Sequence, residues 1–184
     1  MRRIGALLFF AFCLVQVASA QNTPITLDGE TFTKQFVGNP PNGDKLLEFV
    51  RETETFEKWT KLVGIRYQQL PGVGNDPKRV AQGMARIVKT TNPKANSRII
   101  TNKQTSEALI DFLTWPPNGA FLEFNVFRYV KSKDGNGVIS LQFAKRFTSN
   151  SSPEAIKQFK SLQKSWVDQA AAFDMGIVHT ILGK

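Results

Sequence analysis

Histidine and cysteine, the side chains most often used for nucleophilic catalysis and metal binding, each occur once in the 184 residues. His179 lies in an apolar stretch near the C-terminal end, and the chain has no Gly-x-Ser-x-Gly motif of serine hydrolases. Cys13 falls within an apolar N-terminal run. Because a zinc site needs several nitrogen or sulfur ligands, such a site is not expected. We predict that His179 is a packed or terminal residue and that the protein uses no cofactor or metal.

Carboxylates are the other groups that could do chemistry. Asp111, Glu107 and Glu123 fall on or beside segments with strand patterns. Two carboxylates that flank a glycosidic bond can hydrolyse it, one as acid and the other as base or nucleophile. Glu123 is also placed to pair with Arg146 across a hairpin, which would be an ordinary cross-strand ion pair. A carboxylate-dependent periplasmic hydrolase is therefore the alternative function.

Basic residues recur at helical spacing in two segments, with no acid in either series. Steps of three and four residues place such side chains on one face of a helix. That face can dock on an anionic partner, or it can be a solvated face opposite a buried stripe. The candidate binding residues are Arg79, Arg86 and Lys89 in the first segment and Lys157, Lys160 and Lys164 in the second.

Residues 120–147 carry the strongest hairpin pattern in the chain. Apolar and polar residues alternate in both arms, and Asp134-Gly135-Asn136-Gly137 supplies turn residues between them. A loop of even length puts both apolar sets on one face. We predict a Gly135-Asn136 loop, with Val130 opposite Leu141. Phe127 and Tyr129 fall on the nominally polar face, which indicates that a helix or a partner covers that face too.

The remaining elements follow from periodicity and from residues that begin or end helices. Strand patterns occupy 31–37, 45–50, 95–101 and 106–115, and helix patterns occupy 56–63, 77–91 and 153–173. In the second helix, Val80, Met84, Ile87 and Val88 form the expected buried stripe. Hairpins dominate, so we predict an α+β fold, with a mostly antiparallel sheet of about five to six strands covered by two to three helices.

The first twenty residues have the pattern of an export signal. Arg2 and Arg3 precede an apolar run, and Ala18-Ser19-Ala20 offers a cleavage site. The run is shorter than the roughly 20 residues that a membrane-spanning helix needs. We therefore expect a signal peptide at 1–20, a single α+β domain at 21–184, and a periplasmic or secreted location. Without Cys13 the mature chain has no cysteine, which excludes disulfides and thiol catalysis.

Positive charge is concentrated in the later part of the chain. Residues 21–64 contain seven acids and five bases, whereas residues 65–184 contain eight acids and seventeen bases. This excess can serve solubility, or it can attract an anionic protein or an envelope surface. Nucleic-acid binding would need aromatic side chains beside Arg79, Arg86 and Lys89, and it is not expected. The oligomeric state is left open.

One segment carries a resemblance to a known group. Residues 47–60, Leu-Glu-Phe-Val-Arg-Glu-Thr-Glu-Thr-Phe-Glu-Lys-Trp-Thr, resemble a strand-to-helix pattern of small, exported, uncharacterised proteobacterial proteins. More distantly, the arrangement is similar to PsbP-like sandwiches of an antiparallel sheet between helices. The resemblance implies no catalytic residue and makes Trp59 a core anchor. We expect an exported, non-catalytic binding or accessory protein of the bacterial cell envelope, which engages an anionic partner through a basic helix face.

Overall fold

The computed structural model describes residues 24–148 and 153–184, so the expected signal peptide at 1–20 lies outside the described residues. The helices are α1 (Pro77–Thr91), α2 (Pro153–Ala172) and α3 (Met175–Leu182). The strands are β1 (Ile25–Leu27), β2 (Glu30–Phe32), β3 (Lys34–Gly38), β4 (Lys45–Val50), β5 (Lys61–Gln68), β6 (Ser97–Thr101), β7 (Ala108–Thr114), β8 (Phe121–Lys131) and β9 (Val138–Thr148).

The α+β class and the antiparallel pairing are confirmed, but the predicted sheet of five to six strands is wrong. Within the described residues, seven strands form one antiparallel sheet in the order β3-β4-β5-β9-β8-β7-β6. β1 and β2 form a separate two-stranded sheet, and three helices accompany the nine strands. The difference arises from two segments, the short β1–β2 hairpin and the long strand β5, neither of which was predicted in full.

The predicted hairpin forms the centre of the main sheet. β8 and β9 pair in an even-to-odd register, so their apolar residues share one face as expected. The predicted register itself is wrong by two residues, because Val130 lies opposite Ile139 rather than Leu141. The Ser132 hydroxyl donates to Asp134 (2.6 Å) and accepts from the Gly137 amide (2.9 Å). These contacts stabilise a longer connection, 132–137, in place of a two-residue turn.

The face that carries the apolar residues of the hairpin packs against α2, α3 and the β1–β2 hairpin; we call it the α2 face. Trp166 of α2 is fully buried there, with its ring 6.1 Å from that of Phe124 and 6.0 Å from that of Phe143. The Trp166 indole also donates to Asp28 (2.5 Å), in the turn between β1 and β2. The apolar face of α2 therefore holds the N-terminal hairpin on the sheet.

The opposite face, which we call the α1 face, is also covered, as Phe127 and Tyr129 indicated. The rings of Phe112, Phe127 and Tyr129 stack in a row at centroid distances of 5.9 and 5.8 Å. α1 packs on this row through Ala81 and Val88, which are both buried. The main sheet thus lies between helices, with a separate hydrophobic core on each side.

The segment predicted as a helix at 56–63 is not helical. Residues 51–60 form a connection, and β5 then runs between β4 and β9 at the centre of the sheet. Trp59 is buried as expected, against Val50, Leu62 and Ala144. Gly64 is a strand glycine of β5; a Cβ there would lie 2.8 Å from the side-chain oxygen of Gln142. The helical spacing of the aromatic residues was therefore misleading.

Both long helices begin where they were predicted to begin. The Asp76 carboxylate accepts hydrogen bonds from the amides of Lys78 and Arg79, which caps the first turn of α1. α2 begins at Pro153. One residue of the predicted stripe differs: Ile87 is 55% exposed and does not face the core. In the described ranges, none of the helices combines the length and apolarity that crossing a bilayer requires.

A buried arginine joins these layers. Arg128 lies on the apolar face of β8 and is only 9% exposed. Its guanidinium donates to the carbonyls of Ala170, Ala171 and Phe173 at the end of α2, at 2.8 to 3.0 Å. It also donates to the Glu107 carboxylate at 2.8 Å. Because a cation is favourable at a helix C-terminus, this contact fixes where α2 ends on the sheet.

Gly137, at the start of the second arm of the central hairpin, offers a test of this packing. A Cβ at this position would lie 2.5 Å from the Tyr67 ring and 2.8 Å from the backbone oxygen of Gln68. We expect Gly137→Ala to lower the free energy of unfolding by about 1–3 kcal/mol in urea denaturation, because the backbone contact cannot relax by a side-chain rotation. The matched control is Gly72→Ala, whose Cβ would meet no atom within 4 Å. Equal stability of the two variants would contradict this packing.

Candidate functional site: a basic surface on helix α1 and strand β6

The three candidate bases of α1 all lie on its exposed side. Arg79, Arg86 and Lys89 are exposed, whereas Ala81 and Val88 of the same helix are buried. Arg79 lies 4.0 Å from the Asp76 carboxylate. Within the described residues, Arg86 and Lys89 form no ion pair with an acid. Two of the three positive charges are therefore available to a partner.

The structure places this stripe beside the edge strand β6. A shallow depression of about 330 Å³ lies where the end of α1 meets the start of β6, and Arg86, Lys89 and Ser97 line it. The Lys89 ammonium reaches the backbone oxygen of Ala95, at 3.4 Å. The basic face of α1 thus borders the sheet edge instead of pointing directly away from the sheet.

A second cleft, of about 400 Å³, lies at the other end of β6. It contains Thr101, which ends the strand, Lys103, which follows it, and Lys78 from the first turn of α1. Lys131 lines the same cleft. Two acids also line this cleft: Glu107 pairs with Arg128 at 2.8 Å, and Asp76 caps α1. Positive side chains therefore flank both ends of β6.

Sequence reasoning found three of these bases and missed their neighbours, although a simple signal was present. Residues 77–106 contain seven bases and no acid, and all seven bases are exposed. This segment forms α1, β6 and the turns beside them. We call its bases the α1–β6 basic surface: Lys78, Arg79, Arg86, Lys89, Lys94, Arg98 and Lys103.

The second predicted series does not join this surface. Lys157, Lys160 and Lys164 are exposed on α2, which covers the opposite face of the sheet from α1. Lys164 forms an ion pair with Asp168 at 2.6 Å. An acid therefore lies beside this series, contrary to the expectation. The two series therefore face away from each other, and each must be assessed separately.

The three candidate carboxylates do not form a catalytic pair. Asp111 accepts from Arg98 (2.8 Å) and Gln163 (2.6 Å), and Glu107 accepts from Arg128. Glu123 pairs with Arg146 at 3.1 Å, as expected, but it lies on the α1 face, whereas Asp111 lies on the α2 face. Glu107 and Asp111 are four residues apart along one strand segment, or about 13 Å. No pair of them converges on a common space.

A ladder of polar side chains crosses the α1 face beside the helix. Arg66 donates to Gln142 (2.6 Å) and to Glu48 (3.2 Å), and Gln142 donates to Asn125 (2.7 Å). Burial lowers the pKa of Arg66, and the charge of Glu48 opposes this effect. Burial also raises the pKa of the Tyr129 hydroxyl. Arg66, Glu48, Gln142 and Asn125 bond to one another, so the ladder stabilises the sheet, whereas the Tyr129 hydroxyl is buried without a hydrogen-bond partner in the described residues.

A second cluster fixes the connection between β4 and β5. Glu54 is 8% exposed, and one of its carboxylate oxygens accepts from Arg51 (2.7 Å) and from the amide and hydroxyl of Thr60 (2.8 and 2.6 Å). Burial by itself would raise the pKa of Glu54, but the hydrogen bonds from Arg51 and Thr60 outweigh it and hold the pKa at about 2. Lys34 of the edge strand β3 donates to the backbone oxygen of the same residue.

His179 is packed, as expected. It is buried in α3, and its Nδ1 lies 2.8 Å from the backbone oxygen of Lys184. Among residues 24–148 and 153–184, no group of three or more His, Cys, Asp or Glu side chains is arranged to hold a metal ion. The α1–β6 basic surface is therefore the strongest candidate site in the described chain.

The fold and this surface define an antiparallel α+β protein with a basic exterior and paired internal acids. A sequence model of one protein family matches residues 19–175, and the chain belongs to that family, which is small and of uncharacterised function. A comparison with curated proteins finds no match. The match covers most of the chain and supports the expected membership of a small uncharacterised family; that its members are exported proteobacterial proteins stays a prediction.

Glu54 gives a prediction for the dependence of stability on pH. Its pKa is about 2 in the folded protein, against an ordinary value of 4.5. Because the pKa of Glu54 is lower in the folded protein, its negative charge stabilises the fold fully at pH values above the ordinary pKa. This stabilisation is lost as the pH falls from about 4.5 towards 2. We expect Glu54→Gln to reduce the free energy of unfolding by roughly 2–3 kcal/mol at neutral pH, with a difference that shrinks as pH approaches 2.

Urea titrations of both proteins at neutral pH, near pH 4 and near the folded pKa measure this difference. The control is Glu52→Gln, an exposed acid two residues away, which should stay within about 0.5 kcal/mol of wild type at neutral pH. A Glu54→Gln deficit that is the same at all three pH values would show that the charge of Glu54 is not the stabilising factor.

Proposed function

We propose that the protein is an exported, non-catalytic binding or accessory component of the cell envelope, and that it engages an anionic protein or envelope surface through the basic face of α1. One observation carries the proposal. Arg86 and Lys89 are exposed without an acid partner in the described residues, in a segment of seven bases and no acid. A surface of one sign attracts ligands of the other and speeds their association.

The distribution of acids supports the same conclusion. Glu107, Asp111 and Glu123 each pair with an arginine. These three are the carboxylates on which the alternative hydrolase depended, and no observation favours that activity. Arg86 and Lys89 of α1, by contrast, have no acid partner among the described residues and are left for an external partner. Scattered charges of both signs are enough to keep a surface solvated, whereas residues 77–106 place only positive charges around the β6 edge.

The export, the periplasmic location and the signal peptide at 1–20 belong to the proposal, and the sequence of those residues supports them. Arg2 and Arg3 before an apolar run, with Ala18-Ser19-Ala20 after it, are typical of an exported protein. The distant likeness to PsbP-like sandwiches is also part of the proposal. Its support is the placing of helices on both faces of an antiparallel sheet.

The test compares two charge reversals of equal size. Arg79→Glu/Arg86→Glu/Lys89→Glu alters α1, and the matched control Lys157→Glu/Lys160→Glu/Lys164→Glu alters α2 on the other face. The probes are phosphatidylglycerol vesicles and poly-L-glutamate. We expect the wild type to bind at least one probe at low salt and the α1 variant to bind it at least about tenfold more weakly. The α2 variant should stay within about twofold of wild type.

Raising the salt from about 50 to 300 mM should weaken wild-type binding, because exposed charges are screened. A second α1 variant with three alanines, checked by thermal melting, removes the charges without adding repulsion. The proposal fails if the wild type binds neither probe, or if reversal on α2 weakens binding as much as reversal on α1.

A further inference from the structure

β6 is an edge strand whose outer side has no neighbour among the described residues. It is the last strand of the seven and pairs only with β7. The Asn102 amide donates to the Glu107 oxygen at 3.0 Å, which continues the β6–β7 register by one pair. Hydrogen-bonded pairs alternate in an antiparallel ladder. The amides of Arg98 and Ile100 therefore face β7, and those of Ser97, Ile99 and Thr101 face outwards.

The two sides of this edge differ in chemistry. On the α1 side, the depressions at the two ends of β6 are lined by Arg86 and Lys89 at one end and by Lys78 and Lys103 at the other. On the α2 side, Ile100 is 39% exposed, and the charge of Arg98 is already paired with Asp111. A strand added here would find positive charge on one face and an apolar residue on the other.

This pattern indicates which kind of segment would fit beside β6. Side chains of an extended segment alternate between faces, so a segment that alternates acidic and apolar residues would place its acids towards α1 and its apolar residues towards Ile100. β6 has five residues, which corresponds to a segment of about 17 Å.

A second copy of the chain is a poor fit. The outer strands at the two edges of the main sheet, β3 and β6, each carry one base and no acid. Pairing of copies through β6 would also bring two basic surfaces together.

We propose that β6 binds an acidic, extended segment of a partner protein by strand addition. The carboxylates of the segment pair with the bases of α1, and its backbone carbonyls accept hydrogen bonds from the amides of Ser97, Ile99 and Thr101. This inference rests on the proposed function and gives the anionic partner its chemical class. Main-chain hydrogen bonds supply affinity in such complexes, and alternate side chains supply specificity.

The first test uses peptides of constant charge. The parent peptide alternates glutamate and valine over eight residues. One derivative is N-methylated at every glutamate amide, and the other at every valine amide. Amides of one parity point to one edge of a strand, so strand addition requires that one derivative lose at least about tenfold in affinity while the other stays near the parent. Fluorescence anisotropy with the wild-type protein measures all three.

The second test alters the protein. Ser97→Pro and Thr101→Pro each remove one outward amide and leave the hydrogen bonds to β7 in place. We expect each to weaken binding of the parent peptide at least about tenfold, whereas the controls Ser97→Ala and Thr101→Ala stay within about twofold. Binding of phosphatidylglycerol vesicles should be the same for all four variants. If a proline variant fails to fold in a thermal melt, the methylated peptides still decide the question.

The failures of the two proposals are distinguishable. If the α1 charge reversal weakens binding of the parent peptide but neither methylation matters, the proposed function stands and strand addition is overturned. A parent peptide that does not bind overturns it as well. Strand addition by a partner is also overturned if light scattering shows that the wild type is a dimer and Thr101→Pro is a monomer. The occupant of the β6 edge would then be a second copy of the chain. If the α1 charge reversal changes no binding at all, the proposed function itself falls.

Discussion

The fold depends on one buried cation at the centre of an apolar face. Arg128 projects from β8 into the contact between the sheet and α2, where a charge without partners would be strongly unfavourable. Three carbonyls at the end of α2 and the Glu107 carboxylate satisfy it. The arginine thereby fixes the position of α2, and α2 in turn holds the N-terminal hairpin through the bond from Trp166 to Asp28. Two separate parts of the chain, α2 and the N-terminal hairpin, are thus placed on the sheet by one guanidinium.

The basic exterior follows from the composition of the chain, because each arginine–acid pair removes one positive and one negative charge. Arg66, Arg98, Arg128 and Arg146 each bind a carboxylate on the sheet. Residues 77–106 contain seven bases and no acid, and among the described residues two of the seven bases form ion pairs, Arg79 with Asp76 and Arg98 with Asp111. Positive charge on α1 is a consequence of the absence of acids from this segment. That asymmetry creates the candidate site without any catalytic arrangement.

Local patterns predicted part of this structure well. The alternation in the central hairpin gave the correct face, and Asp76-Pro77 gave the start of α1. Other features depended on contacts that periodicity does not record. The register differed because Ser132 stabilises a longer loop. The helix at 56–63 was wrong because Glu54 binds Thr60 within a non-helical connection and residues 61–63 belong to β5. The β1–β2 hairpin could have been predicted, since Asp28-Gly29 is a strong turn signal between alternating residues. The bases of α1 were visible in the sequence, but their position beside an open edge required the order of the strands.

That open edge also affects how the molecule behaves in concentrated solution. Unpaired strand edges are sites of aggregation, and natural proteins protect them with charge. Here the protection is long-range repulsion between the basic surfaces of separate molecules, which screening shortens to about 8 Å at physiological ionic strength. The colloidal stability of the protein therefore depends on the salt concentration of the solution as well as on the fold. A buffer chosen to suppress unwanted ionic contacts would at the same time remove the barrier that keeps neighbouring molecules apart.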